Sequence, residues 1–184
     1  MRVIVAVTGA SGAIYARQVV TLLLAHAEVE RIALVCSNNA HEVMRAEGIV
    51  LPESERIEHF RNDDMWASVA SGSASWDSMI VVPASMGVVG RIAAGVSQSL
   101  IERAADVMLK ERRRLVMVVR ESPYSLIHLR NMTTLTEAGA IIMPASPGLY
   151  FRPESIDELC ATISQRAVEM LGLRVEHRQW GNNE

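Results

Sequence analysis

The sequence predicts an α/β fold with a single, doubly wound parallel sheet. Five short apolar runs rich in β-branched residues recur along the chain, and stretches with apolar residues every three to four positions lie between them. Continuous apolar strands that alternate with amphipathic helices are typical of a parallel sheet covered on both faces. The expected architecture is therefore Rossmann-like, of the flavodoxin-like type. The chain has 184 residues, enough for one domain, which we expect at residues 1–175, followed by a polar tail at residues 176–184.

Each predicted strand is a run of valine, isoleucine and other apolar residues. The strands cover Arg2–Val7, Arg31–Cys36, Ser78–Ala84, Arg114–Val119 and residues 140–145. β-Branched residues favour extended backbone because they pack well on a pleated surface. The stretch at residues 49–76 is longer than a normal connection, so we expect it to be partly helical or to form a functional loop.

Helices are predicted where apolar residues repeat with the helical period, at residues 13–27, 99–113 and 125–139. Gly139 is expected to stop the third of these helices. A last helix is expected from Ser155 to about residue 171, because Ser155 followed three residues later by Glu158 is a capping pattern. The tail beyond this helix is either disordered or docks onto a neighbouring protomer through Trp180.

Composition and charge exclude several classes of protein. The net charge of −3, without a basic tail or face, gives no electrostatic support for nucleic-acid binding. Cys36 and Cys160 lie far apart in apolar segments, as expected for reduced thiols in the cytosol. No apolar stretch is long enough to span a bilayer. We therefore expect a cytoplasmic protein that does not associate with membranes.

Two further kinds of site lack support in the sequence. The histidines show no metal-ligand spacing and no C-x-x-C motif occurs, so we expect no metal site. The G-x-S-x-G motif is also missing, which argues against a Ser-His-Asp hydrolase of the α/β type.

The unusual residues of the chain follow the predicted strands. Ligands of a doubly wound sheet bind outside the carboxyl ends of its strands, so we expect these residues to gather on one rim. They are the glycine turn TGASGA at residues 8–13, Ser37, residues 85–87, the pair Arg120 and Glu121, and Tyr150.

The glycine turn opens a helix, where glycines let the backbone approach a ligand and free amides attract anions. A tight strand-to-helix turn also needs glycine for purely structural reasons. The turn lacks the G-x-G-x-x-G spacing of a dinucleotide site, and Ser37 stands where an NAD enzyme has an acidic residue. A phosphate or the polyol tail of a flavin suits this serine better, so NAD is not favoured.

The remaining rim residues have plain structural interpretations when each is taken alone. Ser85 is equally well explained as a helix cap. An exposed strand-end pair of little energetic value is a less favoured alternative for Arg120 and Glu121. Packing would account for Tyr150, and a solvated helix surface would account for Arg166.

Longer sequence blocks identify a family. RAADVMLKERR and IHLRNM are the most specific, and TGASGA, ASGS, PASMG, VRESP and MPASPGLYFRPES follow the same order along the chain. Together these segments resemble the flavin prenyltransferase family, the UbiX-like proteins that are also known as components of phenolic acid decarboxylase. The likeness covers nearly the whole chain.

The resemblance implies that the chain joins a dimethylallyl group from dimethylallyl phosphate to N5 and C6 of reduced FMN. It assigns FMN binding to Gly9, Ala10, Ser11, Ser37, Ser85, Met86, Gly87, Val88 and Arg120. It assigns the prenyl phosphate to Tyr150, Arg166 and Lys110. Glu121 is the candidate for proton handling at the flavin N5, because a carboxylate beside cations in a partly buried site can serve as acid or base. Ser11 is expected to orient the flavin or relay a proton, and Lys110 and Glu47 complete the expected catalytic set.

The resemblance also implies an assembly and a partner. The family forms homo-oligomers, commonly dodecamers built from trimers, in which each site is shared between protomers, and it delivers prenylated FMN to a UbiD-like decarboxylase. Two positions depart from the family pattern. Asn38 replaces a basic residue and Ala84 replaces a frequent cysteine, and both changes are expected to adjust the FMN pocket.

Lys110 is the only lysine of the chain. Many prenyl-transfer sites use Mg²⁺ held by clustered carboxylates to stabilise the departing phosphate, and the sequence shows no such cluster. We expect Lys110, Arg166 and Tyr150 to act instead as fixed donors around the phosphate. Lysine offers a compact point charge, whereas arginine fixes one approach. The plain alternative is a stray lysine on a solvated surface.

Two other functions remain as alternatives. The motif PASMG resembles PASANT of flavin-dependent cysteine decarboxylases, although their PxMNxxMW segment is missing. A non-catalytic flavin carrier, or an accessory component of a decarboxylase, is the second alternative. The presence of Lys110, Glu121, Tyr150 and Arg166 together favours the enzyme.

Overall fold

The computed structural model describes residues 1–176. Its six strands all run parallel in one sheet of order β3-β2-β1-β4-β5-β6. The strands are β1 (Arg2–Val7), β2 (Arg31–Cys36), β3 (Ile57–Arg61), β4 (Ser78–Ala84), β5 (Arg114–Val119) and β6 (Ile141–Pro144). The predicted fold class is confirmed.

In the described part of the chain, six α-helices cover the sheet. They are α1 (Ala13–Ala25), α2 (Asn38–Glu47), α3 (Met86–Ala93), α4 (Leu100–Lys110), α5 (Leu126–Glu137) and α6 (Ile156–Met170). The Ser155 hydroxyl accepts from the Glu158 amide at 3.1 Å, which confirms the predicted cap of the last helix. Gly139 has a φ of +104°, a left-handed conformation that suits glycine at the end of α5.

The sheet is buried on both faces, as a parallel sheet must be. Alternate side chains of β1 point to opposite sides of it. Val3, Val5 and Val7 belong to the apolar cluster that includes residues of α1 and α6. Ile4 and Ala6 belong to the cluster formed with α3 and α4. Helices therefore pack on both sides of the central strands.

The region at residues 49–76 differs from expectation. It is partly helical, with a short 3₁₀ helix at Ser68–Ala70, but it also contains the edge strand β3, which was not expected. Only Ile57 of β3 is fully buried, and exposed polar residues alternate along the strand. A sheet edge tolerates this pattern because one side of the strand faces solvent, so the run is too polar to be recognised as a strand.

The chain reverses its direction of winding between β1 and β4. From β1 the chain proceeds outward to β2 and β3, and from β4 it proceeds the opposite way to β5 and β6. Loops diverge at such a switch point and leave a crevice at the carboxyl ends of the strands. Within residues 1–176, every helix is too short or too polar to span a bilayer. The predicted docking of Trp180 falls outside the described residues.

Candidate functional site

The glycine turn after β1 approaches the start of α2 closely. A Cβ atom on Gly9 would lie 2.5 Å from the Cβ of Asn39, so a side chain has no room there. Gly12, which precedes α1, has a φ of +113°. Any larger residue would be strained in that conformation. These two glycines are therefore required by the turn itself.

Thr8 joins this turn to the one after β4. Its buried hydroxyl donates to the carbonyl of Pro83 at 2.7 Å and accepts from the amide of Ser85 at 2.8 Å. The two loops that flank the switch point are thus held by one side chain. Thr8 is not among the residues predicted for the site, although a threonine directly after a buried strand and before a glycine turn is a usable signal.

Ser37 and Ser85 both begin helices at this edge, but they differ. The Ser37 hydroxyl caps α2 by accepting from the Ala40 amide at 3.2 Å, and it keeps its own hydrogen for a ligand. The Ser85 hydroxyl makes no capping bond to α3. Ser85 therefore occupies the N-cap position of α3 without using its hydroxyl to cap the helix.

Glu47 occupies the amides at the start of α1. Its two carboxylate oxygens accept from Gly12 at 2.8 Å and from Ala13 at 2.7 Å. The sequence predicts free amides there for an external anion. The helix start does attract an anion, but the anion is the chain's own carboxylate, carried from the end of α2.

A cleft of about 510 Å³ opens beside the glycine turn and brings together Ser11, Glu47 and Arg120. Arg120 follows β5 and its side chain is exposed. The neighbouring Glu121 is half-buried and accepts from the Ser122 amide at 3.0 Å. Within residues 1–176, Arg120 and Glu121 form no ion pair with each other, so the exposed-pair interpretation is wrong.

The inner wall of this cleft contains Tyr15 and Cys160, which are not among the residues predicted for the site. Both side chains are buried. Burial and the hydrogen bond with the Cys160 thiol raise the pKa of the Tyr15 phenol, and the nearby charge of Arg120 opposes this only in part. Tyr15 therefore stays protonated and can act only as a neutral hydrogen-bonding group.

A second cleft of about 530 Å³ lies next to Ser37, at the carboxyl ends of β2 and β3. Asn38 lines it together with Cys36 and His41. The other position that departs from the family pattern, Ala84, is fully buried in the core and lines no cleft. Asn38 is therefore exposed to a ligand at this cleft, whereas Ala84 is enclosed by the core.

Tyr150 and Arg166 lie to one side of the strand ends. Tyr150 follows β6, packs against Gly148 and is 75% exposed. Arg166 lies on α6, lines a separate groove with Phe151, and pairs with Glu169 at 2.8 Å. The structure therefore places Arg166 near the residues that follow Tyr150, but outside the cleft that contains Arg120.

Lys110 lies at the opposite end of the sheet, where the strands begin. It is the last residue of α4, and β5 begins at Arg114, so this lysine belongs to the amino ends of the strands. Its ammonium pairs with Glu111 and lies beside Gly72. Within one protomer, the structure does not bring Lys110 to the edge that carries the other predicted site residues.

The described residues 1–176 contain no group of three or more His, Cys, Asp or Glu side chains placed to hold a metal ion. The charged groups of the clefts are instead single carboxylates and guanidinium groups. This arrangement can bind anions and flat polar ligands, and it can hold a proton on a carboxylate.

The chain is similar to known proteins over most of its length. The flavoprotein family model matches residues 1–168. The flavin prenyltransferase UbiX of Thermoplasma acidophilum is 42% identical over 181 residues, which cover 94% of this chain and 96% of that protein.

Two solved structures share the fold over almost their whole length. A UbiX structure in complex with FMN and dimethylallyl pyrophosphate is 40% identical, with a TM-score of 0.87, and covers 97% of this chain and 98% of that one. A dodecameric FMN-dependent UbiX-like decarboxylase from Escherichia coli O157:H7 is 36% identical, with a TM-score of 0.91, and covers 99% and 100%.

Proposed function

This chain belongs to the flavin prenyltransferase family and is an enzyme that prenylates FMN, and from this premise we propose that the transfer takes place at the carboxyl edge of its sheet. The observation that carries the proposal is the hydroxyl of Thr8. It ties the glycine turn to the loop of Ser85, so that both border one crevice at the switch point. Arg120 enters the same edge from β5.

The residues at this crevice fit FMN. The backbone of Gly9 is exposed in the turn, and the Ser85 hydroxyl is not used by the helix that it precedes. The exposed guanidinium of Arg120 offers charge and donors to the flavin. We assign FMN binding to the set predicted from the sequence: Gly9, Ala10, Ser11, Ser37, Ser85 to Val88, and Arg120.

The prenyl donor is an ester of dimethylallyl alcohol with phosphate, and its phosphate is the group that leaves. We assign the phosphate to Tyr150 and Arg166, which offer a phenol and a guanidinium; Arg166 lines a groove with Phe151, the residue after Tyr150. Fixed donors stabilise a departing phosphate most when they are already oriented before the bond breaks. Reduced FMN, when bound, supplies the nucleophilic N5 and C6 positions.

The carboxylates of Glu121 and Glu47 have different roles in this proposal. Glu121 is half-buried next to Arg120, where it can hold or release a proton close to the flavin ring. Glu47 keeps the glycine turn in place through the amides of Gly12 and Ala13. Ser11 is exposed in the same cleft as Glu47 and orients the flavin or relays the proton.

Lys110 reaches a site only if that site belongs to another protomer. It lies at the amino edge of its own sheet, whereas the other assigned residues lie at or beside the carboxyl edge. A homo-oligomer in which the α4 end of one protomer faces the crevice of the next resolves this separation. The dodecamer recorded for the Escherichia coli relative supports such an assembly.

The product is prenylated FMN, and its recipient in this proposal is a UbiD-like decarboxylase that uses the modified flavin. We place the enzyme in the cytoplasm, where its two thiols stay reduced. The alternative of a non-catalytic flavin carrier predicts a different outcome in one assay.

The assay supplies the full-length chain with reduced FMN, dimethylallyl phosphate and a chelator. Mass spectrometry then follows the flavin. A flavin heavier by one prenyl unit, formed without metal, is the expected result. Recovery of unaltered FMN from a protein that binds it would establish a carrier instead.

A further inference from the structure

The loop at Ser85–Val88 has no charged side chain of its own, yet a guanidinium lies against it. Arg91 is four residues after Gly87 on α3, so the two share one face of the helix and the longer side chain leans back towards the helix start. A Cβ atom on Gly87 would lie 3.3 Å from Nη1 of Arg91. The guanidinium therefore occupies the space beside Gly87 that a side chain would otherwise fill.

A buried carboxylate fixes the orientation of this guanidinium. Glu102, on α4, is only 3% exposed and accepts from Nε of Arg91 at 2.5 Å. Its other oxygen accepts from the amides of Gln98 at 2.9 Å and Ser99 at 3.0 Å. Both oxygens are thus engaged, and Nε is the nitrogen of Arg91 that faces the carboxylate.

Glu102 stays charged in this arrangement. Burial by itself would raise the pKa of its carboxyl, but the hydrogen bonds from Arg91 and from the two amides lower the pKa below its ordinary value. A charged carboxylate holds the guanidinium with one nitrogen and leaves the Nη groups to other partners. Among residues 1–176, these Nη groups have no hydrogen-bond acceptor, and the side chain is 46% exposed.

We propose that Arg91 is a further FMN-binding residue, which contacts the phosphate of the cofactor and is oriented for this by Glu102. The inference rests on the proposed assignment of Ser85–Val88 to FMN. The phosphate carries the negative charge of FMN. A guanidinium with two free Nη groups can form bidentate hydrogen bonds with phosphate oxygens.

Riboflavin provides the test, because it has the same ring and polyol but no phosphate. Full-length Arg91→Met protein is titrated with FMN and with riboflavin, and binding is followed by quenching of flavin fluorescence. Loss of one charged hydrogen-bonding partner predicts FMN binding about tenfold weaker. Riboflavin binding should be unchanged. Arg91→Lys keeps the charge and should recover part of the FMN affinity.

Arg31→Met is the matched control. Arg31 is 51% exposed and pairs with Glu58, but it lies at the amino edge of the sheet. Its loss should leave the affinity for both flavins unaltered. If Arg91→Met does not fold, the same titrations are done with Arg91→Lys. This variant should show a smaller loss of FMN affinity and an unchanged affinity for riboflavin.

If Arg91→Met binds FMN as tightly as wild type, or binds FMN and riboflavin equally more weakly, the role of Arg91 is overturned. The wild-type chain would in that case still bind and prenylate FMN. A wild-type chain that binds neither flavin would instead overturn the proposed function itself. The two failures are therefore distinct.

Discussion

The hydroxyl of Thr8 accepts a hydrogen bond from the amide of Ser85 across a sequence separation of 77 residues. The same hydroxyl donates to Pro83, so one oxygen is satisfied as donor and acceptor in a buried position. This contact holds the end of β1 and the end of β4 in register at the point where the flavin is assigned.

Replacing Thr8 with valine keeps the shape of the side chain and removes the hydroxyl. The Ser85 amide then loses its partner, and the Pro83 carbonyl keeps only the bond from the Thr8 amide at 3.3 Å. This loss should cost about 1–3 kcal/mol of stability. FMN affinity should fall as well, because the loop of Ser85 is released. Denaturant unfolding and a flavin titration measure the two effects. Thr21→Val is the control, since the Thr21 hydroxyl only bonds the Arg17 carbonyl within α1 on an exposed face; equal effects of both substitutions would contradict the prediction.

Glu47→Gln should weaken the glycine turn. A glutamine has one acceptor oxygen for two amides and no charge to favour the start of α1, so stability should fall by about 1 kcal/mol. Thermal unfolding measures this loss. Glu42→Gln lies on the same helix but removes only an exposed pair with Arg45, and it should change stability little. A Glu47 variant as stable as wild type would show that the contact with α1 does not hold the turn.

Glu121→Gln should bind FMN normally but turn over slowly. General acid–base groups contribute about a hundredfold to ten-thousandfold in rate, and glutamine keeps the size of the side chain without its proton chemistry. Single-turnover formation of prenylated FMN, measured at saturating FMN, reports the step directly. A fully active variant would remove Glu121 from the chemistry.

Lys110→Ala and Glu121→Ala should complement each other if sites are shared. Each variant alone should be inactive, because each lacks one group of every site. When both chains assemble at random, a site that takes its lysine from one protomer and its glutamate from another is intact in about a quarter of cases. Activity of co-expressed and purified mixed oligomers measures this recovery. No recovery, with mixed oligomers verified by mass spectrometry, would mean that Lys110 does not act on a neighbour's site.

Cys36 should resist alkylation near neutral pH. Burial raises the pKa of its thiol from 9.0 to about 11. At pH 9 about half of such thiols would be ionised in the unfolded chain, but only about one in a hundred in the folded chain, and the thiolate is the reactive form. The rate of iodoacetamide labelling of the Cys36 peptide should therefore keep rising between pH 9 and pH 11. A plateau near pH 9 in the folded protein, as expected in urea, would contradict the raised pKa.

The sequence alone was sufficient for the fold class and for the strand positions of the sheet centre. β1, β2, β4 and β5 have the bounds predicted for them, because strands buried on both faces must be continuously apolar and such runs are visible locally. The family was also visible, since its blocks of residues persist in order along the chain, and the full-length relatives confirm it.

Only the tertiary structure decided how these pieces meet. β3 was not predicted from the sequence, because only one of its five side chains is buried and it has no continuous apolar run. Its parallel pairing with β2 holds it in the sheet. The contacts of Thr8 with Ser85, and of Glu47 with Gly12, join residues that are 77 and 35 positions apart. A pattern of neighbouring residues cannot predict contacts between positions so far apart in the sequence.

The tertiary structure also decided where Lys110 lies relative to the other assigned residues. Its motif identifies it in the sequence, but the edge of the sheet on which it lies follows from the direction of α4 relative to β5. Local composition determines which segments become strands and helices, because burial and backbone preference act residue by residue. The site depends on where the strand ends converge, and that is a property of the packed chain.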